Sequence, residues 1–215
     1  MKFLLVLCVT VVSTVAYKCC VPKQMEGNVG HFGGYYQDGS GGGVITGLTR
    51  VHYDFYAEKI ATVDFDNRII NDFNTSTQYI IVKEEHCWKA ELPGTYDDFT
   101  CIPDNAIDLG PLVLGIDVLY GRTYGVQTTF EDTNVTQYVT VTEDDCVTVV
   151  VDYISNGPET TQIQCIGFYD FTLGFKDPSV FDVPEICNGV ETVAAKDAPK
   201  LGSHIMQWIR RTGYQ

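Results

Sequence analysis

The chain has 215 residues, 45% hydrophobic and 20% charged, with 28 acidic residues against 14 basic ones and a formal net charge of −14. A surface this acidic repels nucleic acid and anionic membranes, which argues against both as partners. It suits solubility outside a cell, or attraction of Ca²⁺ and cationic surfaces.

Residues 1–16 have the form of a secretory leader. Lys2 gives a positive start, residues 3–12 are an apolar run, and Thr14-Val15-Ala16 offers a small-x-small cleavage pattern. The run is too short and wrongly flanked for a membrane span, so no transmembrane segment is expected. Residues 17–215 then form a single domain. Residues 29–37 predict a first strand, Asp38-Gly39-Ser40-Gly41-Gly42-Gly43 a flexible connection, and residues 44–55 a second strand. Tyr56-Ala57-Glu58 turns into a strand at 59–66, where Ala61, Val63 and Phe65 alternate with Thr62, Asp64 and Asp66. Val135, Val139 and Val141 oppose Thr136, Thr140 and Thr142 in the same way. Asn156-Gly157-Pro158 is a strong turn between strands at 147–154 and 161–175, and Tyr169, Phe171, Leu173 and Phe175 share one parity of the second. Leu201, Ile205, Trp208 and Ile209 fall on one face of a short C-terminal helix. The fold expected is all-β dominated, built of half-buried antiparallel strands.

Cys8 leaves with the leader. Cys19, Cys20, Cys87, Cys101, Cys146, Cys165 and Cys187 remain, enough for three bridges and one odd thiol in an oxidising compartment. No C-x-x-C pair is present, so a zinc site is a poor reading. The sequons Asn74-Thr75-Ser76 and Asn134-Val135-Thr136 predict glycans at Asn74 and Asn134.

Catalytic patterns are missing. Gly41-Gly42-Gly43 is not followed by Gly-Lys-Ser/Thr, and neither G-x-S-x-G nor H-E-x-x-H occurs. His31, His52, His86 and His204 are scattered, so the expectation is a protein that is not an enzyme and requires no cofactor. Calcium is the metal the sequence leaves open. Asp144 and Asp145, beside Glu143, form the best local acidic cluster with Asp97-Asp98, although consecutive acids on a solvated turn are the commoner outcome.

The stretch Asp177-Pro178-Ser179-Val180-Phe181-Asp182-Val183-Pro184-Glu185-Ile186-Cys187 resembles the D-P-S-V-F-x-x-P-x-x-C signature of the ependymin-related family. The opening Cys19-Cys20-Val21-Pro22-Lys23-Gln24-Met25-Glu26-Gly27 resembles that family's C-x-x-P-x-Q-W-E-G start, with Met25 where Trp is usual. Tyr53-Asp54-Phe55, Cys87-Trp88-Lys89 and Asp145-Cys146 extend the likeness through residues 19–190. The resemblance implies two stacked, curved antiparallel sheets around a hydrophobic pocket, similar to bacterial lipoprotein carriers. It implies a secreted glycoprotein, dimeric, with lipid or fatty-acid binding, Ca²⁺ binding and cell–matrix adhesion. It also implies bridges Cys19–Cys146 and Cys87–Cys187. Cys20 with Cys101 is taken as the third, which leaves Cys165 odd on a strand and expected to be buried. Phe65, Tyr79, Ile81, Tyr169, Phe171 and Phe175 are the expected lining of the pocket.

Two functions follow as expectations. The first is a secreted, non-enzymatic carrier of an apolar molecule, for which a cavity of several hundred Å³ is the structural mark. The second is an acidic extracellular or calcified-matrix and adhesion component. A hydrolase, assembled from a His near Ser or Cys and a carboxylate, stands as the control.

Overall fold

In the computed structural model, residues 18–115, 118–130 and 132–198 are described; the leader at 1–16 and the helix expected at 201–209 lie outside them. The first meander comprises β1 (Gln24–Gln37), β2 (Gly41–Asp54), β3 (Lys59–Val63), β4 (Asn67–Asp72), β5 (Thr77–Val82) and β6 (His86–Glu91). A short helix, α1 (Tyr96–Thr100), leads to a second meander of β7 (Ile107–Leu114), β8 (Leu119–Phe130), β9 (Thr133–Thr142), β10 (Thr148–Asn156) and β11 (Thr160–Leu173). Two 3₁₀ turns (Pro178–Phe181 and Glu185–Cys187) precede β12 (Thr192–Val193), and a third (Ala195–Asp197) follows it.

The strands form one sheet in the order β12-β6-β5-β4-β3-β2-β1-β11-β10-β9-β8-β7. The two layers expected from the sequence are therefore halves of a single hydrogen-bonded sheet. They meet where β11 returns to pair with β1. All neighbours are antiparallel except β12 on β6.

Alternation fixes the two faces. The register puts Met25, Val29, Val51, Tyr53, Ile60, Val151 and Ile166 on one face, where they form the main core cluster with Phe73, Leu92 and Tyr96. Tyr53 of β2 and Val126 of β8 line a common cavity. They are five strand spacings apart, about 24 Å in a flat sheet. The sheet is therefore strongly curled, with this face inside.

Local chemistry adjusts the strand limits. Gly41, Gly42 and Gly43 belong to β2 and not to a loop, with Gly42 and Gly43 opposite Tyr36 and Tyr35. A Cβ on Gly43 would collide with the Tyr35 ring, so the glycines let that ring lie across the neighbouring strand. The strand expected at 59–66 stops at Val63. The Asp64 carboxylate accepts the backbone N–H groups of Asp66 (3.1 Å) and Asn67 (2.8 Å) and closes a turn, which leaves Phe65 95% exposed.

The strands β4–β6 are covered on both faces. Ile69, Ile80 and Ala90 pack with Trp88, Val193 and Ala198 on one side. On the other, Ile70, Ile81, Tyr79 and Cys87 pack against Cys187 of the second 3₁₀ turn. Arg68 ties the first of these turns down by donating to the carbonyls of Ser179 (3.1 Å) and Val180 (3.4 Å). Glu26, 8% exposed, accepts from the Lys176 backbone N–H (3.2 Å) and pairs with His52 Nδ1 at 3.3 Å. Burial lowers the His52 pKa, although Glu26 pulls the other way.

Candidate ligand-binding cleft

The cleft begins with the cysteines. Bridges join Cys19–Cys146, Cys20–Cys101 and Cys87–Cys187. The first two pin one short segment, Cys19-Cys20-Val21, at the mouth of the curled sheet. Its backbone is also held there, with the Val21 N–H donating to Thr100 O (2.8 Å) and the Ile102 N–H to Cys19 O (2.7 Å). Cys165 is free and exposed, a correction to the expectation of a buried thiol. It lies on the outer face opposite Phe32 of β1 and Asp152 of β10.

This segment forms a partition. Behind it lies a small cavity of about 60 Å³, bounded by Tyr53, Val126, Val139, Val141, Val151 and Phe168, with Gln137 and Thr148 as polar neighbours. That volume holds only a few waters. In front lies an open cleft of about 600 Å³. Its apolar floor comes from Val21, Pro22, Met25, Val147, Phe171 and Leu173, with Phe55 at the side, and Lys18, Lys23, Asp144 and Asp145 on its rim. Val21 lines both spaces.

A β-bulge aims Phe171 into the cleft. The β1–β11 register shifts between Glu26 and Asn28, and Asp170 opposite takes φ 54°. The extra residue moves Phe171 off the parity of Tyr169 and onto that of Phe168. The two rings then stack at 6.1 Å, 18° from parallel, and Phe171 lies over Gly27, where any Cβ would collide with it.

Of the six residues expected to line a pocket, the structure brings Phe171 alone to this cleft. Phe65 is in its turn. Ile81 and Tyr79 lie in the covered β4–β6 region, Tyr79 under the Lys89 ammonium at 5.8 Å. Tyr169 is half exposed on the outer face, and Phe175 packs on Phe181 at 5.3 Å. Strand parity misplaced these residues because a bulge, a turn and a second covered face each break the simple alternation. Met25, Phe55, Val147 and Leu173 were missed, since each stands at or just beyond a strand end. The one sequence signal near them is the opening Cys19-Cys20-Val21-Pro22-Lys23.

Charge at the rim is mixed. Lys18 pairs with Asp97 at 3.0 Å, and that hydrogen bond is the main reason its pKa is raised. Lys23 Nζ sits over the rings of Phe55 (5.4 Å) and Tyr56 (5.6 Å). Asp144 and Asp145 are exposed in the β9–β10 turn. Among the described residues no three His, Cys, Asp or Glu side chains come together as a metal set, so no third ligand of this kind joins those two aspartates. The sequons place Asn74 in the β4–β5 turn and Asn134 at the start of β9, both exposed. His31 is buried, His52 is held by Glu26, His86 lies beside Trp88 (6.1 Å), and His204 falls outside the described residues.

Fold and site together define a disulfide-bonded antiparallel β domain whose curled sheet carries an amphipathic cleft at its mouth. Residues 62–187 match the sequence profile of the Ependymin family. Ependymin-related protein 1 of Haliotis asinina is 32% identical over 188 residues, covering 79% of this chain and 90% of that protein. The chain belongs to the ependymin family.

Solved structures that resemble the chain include an uncharacterized conserved protein from Thermus thermophilus, with a TM-score of 0.47 and 7% identity over 80% of this chain and 90% of that one. A LolA superfamily protein from Nitrosomonas europaea gives a TM-score of 0.36 and 9% identity over 77% of this chain and 93% of that one. Likenesses at this level add nothing to the reading of the site. Among the described residues no helix is long and apolar enough to cross a membrane.

Proposed function

We propose that this protein is a secreted, non-enzymatic carrier or sensor of an apolar or amphipathic molecule, held in the cleft in front of the Cys19-Cys20-Val21 segment. The cleft itself carries the reading. Its volume of about 600 Å³ lies in the range of small-molecule sites. Its floor leaves Leu173 82% exposed, an apolar side chain that a ligand would cover. Three bridges and a leader-like start support secretion, and the exposed sequons support glycans at Asn74 and Asn134.

Magnitudes limit the ligand. Each buried methylene contributes about 0.8 kcal/mol. Ten would give about 8 kcal/mol, against an association cost of about 4–15 kcal/mol. A short hydrocarbon would not be held, whereas a long chain or a head group with its own contacts would. Native mass spectrometry of the secreted protein with lipid extraction tests this. A co-purifying lipid, displaced in Leu173→Asp and retained in Phe65→Ser, is the expected result. A ligand-free protein that takes up no aliphatic probe would turn attention to the matrix reading, whose own mark is a Ca²⁺-induced rise in Tm abolished by neutralising Asp144 and Asp145.

The outer face of the large half supports a second copy as partner. Phe32, Val44, Leu48 and Ile163 are exposed there on three adjacent strands, interleaved with Gly30, Gly34 and Gly167. In a chain of charge −14, the charged residues that the register puts on this face of β1, β2, β10 and β11 are Arg50 and Asp152, which are exposed, and Glu26 and Asp54, which are buried. Two acidic molecules would meet with least repulsion here. Sedimentation should show a dimer that Phe32→Glu or Ile163→Lys converts to monomer; a wild-type monomer at all concentrations refutes it.

A further inference from the structure

Unpaired charges of both signs line the cleft. Asp144 and Asp145 form no ion pair with any described residue, and neither does Lys23, which rests on two aromatic rings. Lys23 approaches from the segment before β1, the aspartates from the β9–β10 turn. All three border the same apolar floor without pairing with one another. Lys18 shares the rim, its ammonium engaged by Asp97. With Asp97 cancelling Lys18, the charges left free on the rim are one ammonium, Lys23, and two carboxylates, Asp144 and Asp145.

We infer that the cleft prefers a zwitterionic single-chain amphiphile over a fatty-acid anion. This inference rests on the apolar-cleft reading and refines it. The hydrocarbon lies on Val147, Phe171 and Leu173, beside Phe55. The cationic end of the head group faces Asp144 and Asp145, and its anionic end takes the Lys23 ammonium.

Three physical arguments favour this occupant. The field of the whole chain opposes the approach of an anion, while a zwitterion carries no net charge to repel. A carboxylate alone would satisfy Lys23 and leave the two aspartates unpaired beside a ligand that has displaced their water. A zwitterion pairs both signs at once, so fewer charged groups are left desolvated without a partner. The volume of about 600 Å³, open at one side, suits one chain and a compact head group.

Four amphiphiles of equal chain length, used below their micellar concentrations, isolate the head group. These are dodecylphosphocholine, dodecanoate, dodecyltrimethylammonium and dodecyl maltoside, titrated calorimetrically into the full secreted protein. Dodecylphosphocholine should bind at least about tenfold more tightly than dodecanoate or dodecyl maltoside, a difference of about 1.4 kcal/mol. Lys23→Gln, and Asp144→Asn with Asp145→Asn, should each cut that preference to under threefold and leave dodecyl maltoside binding unchanged. Unchanged maltoside binding also reports that the variants are folded. Asp38→Asn with Glu159→Gln, at the opposite end of the sheet, removes the same charge and should preserve the preference. Dodecanoate or dodecyltrimethylammonium binding as tightly as dodecylphosphocholine, or a preference indifferent to the rim variants, would overturn the inference while leaving the cleft reading in place. Failure of all four to bind would overturn both.

Discussion

The β3–β6 end and the mouth of the sheet solve the same problem in opposite ways. At β4–β6 both faces are covered, one by the chain around Val193 and Ala198, the other by the 3₁₀ turn at Cys187. Ile70, Ile81 and Cys187 are fully buried there. At the mouth, the N-terminal segment is equally well anchored, yet Leu173 and Phe55 in front of it stay open to solvent. Two disulfides at the mouth hold a partition in place; one at β6 clamps a lid onto a core. Cross-linking alone therefore does not close a surface. What closes it is chain that returns over it.

This contrast is open to direct attack. The largest effect is expected from Cys87→Ser, which unclamps the covered end across a sequence separation of 100 residues. It should cost about 2–5 kcal/mol and depress secretion, whereas Cys165→Ser should leave both near wild type. Equal secretion of the two variants would mean that the clamp is dispensable. Next comes Ile81→Ala, expected to cost about 2–5 kcal/mol because the site is tightly enclosed. Leu173→Ala, at the mouth, should fall within about 0.5 kcal/mol while weakening the uptake of an apolar probe. Matching losses in urea denaturation would erase the distinction between core and cleft.

Gly27→Ala probes the bulge that joins them. The new methyl would meet the Phe171 ring, and overpacking of this kind costs about 1–3 kcal/mol. The displaced ring should also alter probe binding; a change in Tm with binding intact would separate Phe171 from the cleft.

The smallest effect concerns the buried His52–Glu26 pair that fastens the chain at Lys176. Burial lowers the His52 pKa below its ordinary 6.5. The unfolded chain then takes up the proton first as pH falls. Stability from this group is complete above about pH 6.5 and is lost as pH drops through that value towards the folded pKa. His52→Gln should flatten the dependence of Tm on pH between about 7 and 5, and a slope identical to wild type would assign the acid sensitivity elsewhere.

Much of the fold was legible in the sequence. Alternation at Ala61 and Val63, and at Val135, Val139 and Val141, marked strands that exist, and Asn156-Gly157-Pro158 marked a real turn. The end signatures carried the family. Cleft residues were not legible to the same degree. Phe171 was placed with Tyr169 because parity counts two residues as one step, and Asp170 inserts a residue that the count does not see. Phe65 shares the parity of Ala61 and Val63, which the register puts on the face away from Ile60 and the main core, and the hydrogen bonds of Asp64 end the strand before it.

The sequence by itself determined what is written in short-range order: strands, turns, cysteine number, sequons and acidity. These depend on neighbours a few positions apart, where backbone geometry repeats. The tertiary structure decided that two meanders join into one curled sheet, that Cys19-Cys20-Val21 divides a small cavity from an open cleft, and that Lys23 shares a rim with Asp144 and Asp145. Those groups lie more than a hundred residues apart. The β1–β11 and β10–β11 pairings and two cross-links bring them together, and no local periodicity encodes where distant strand ends will meet.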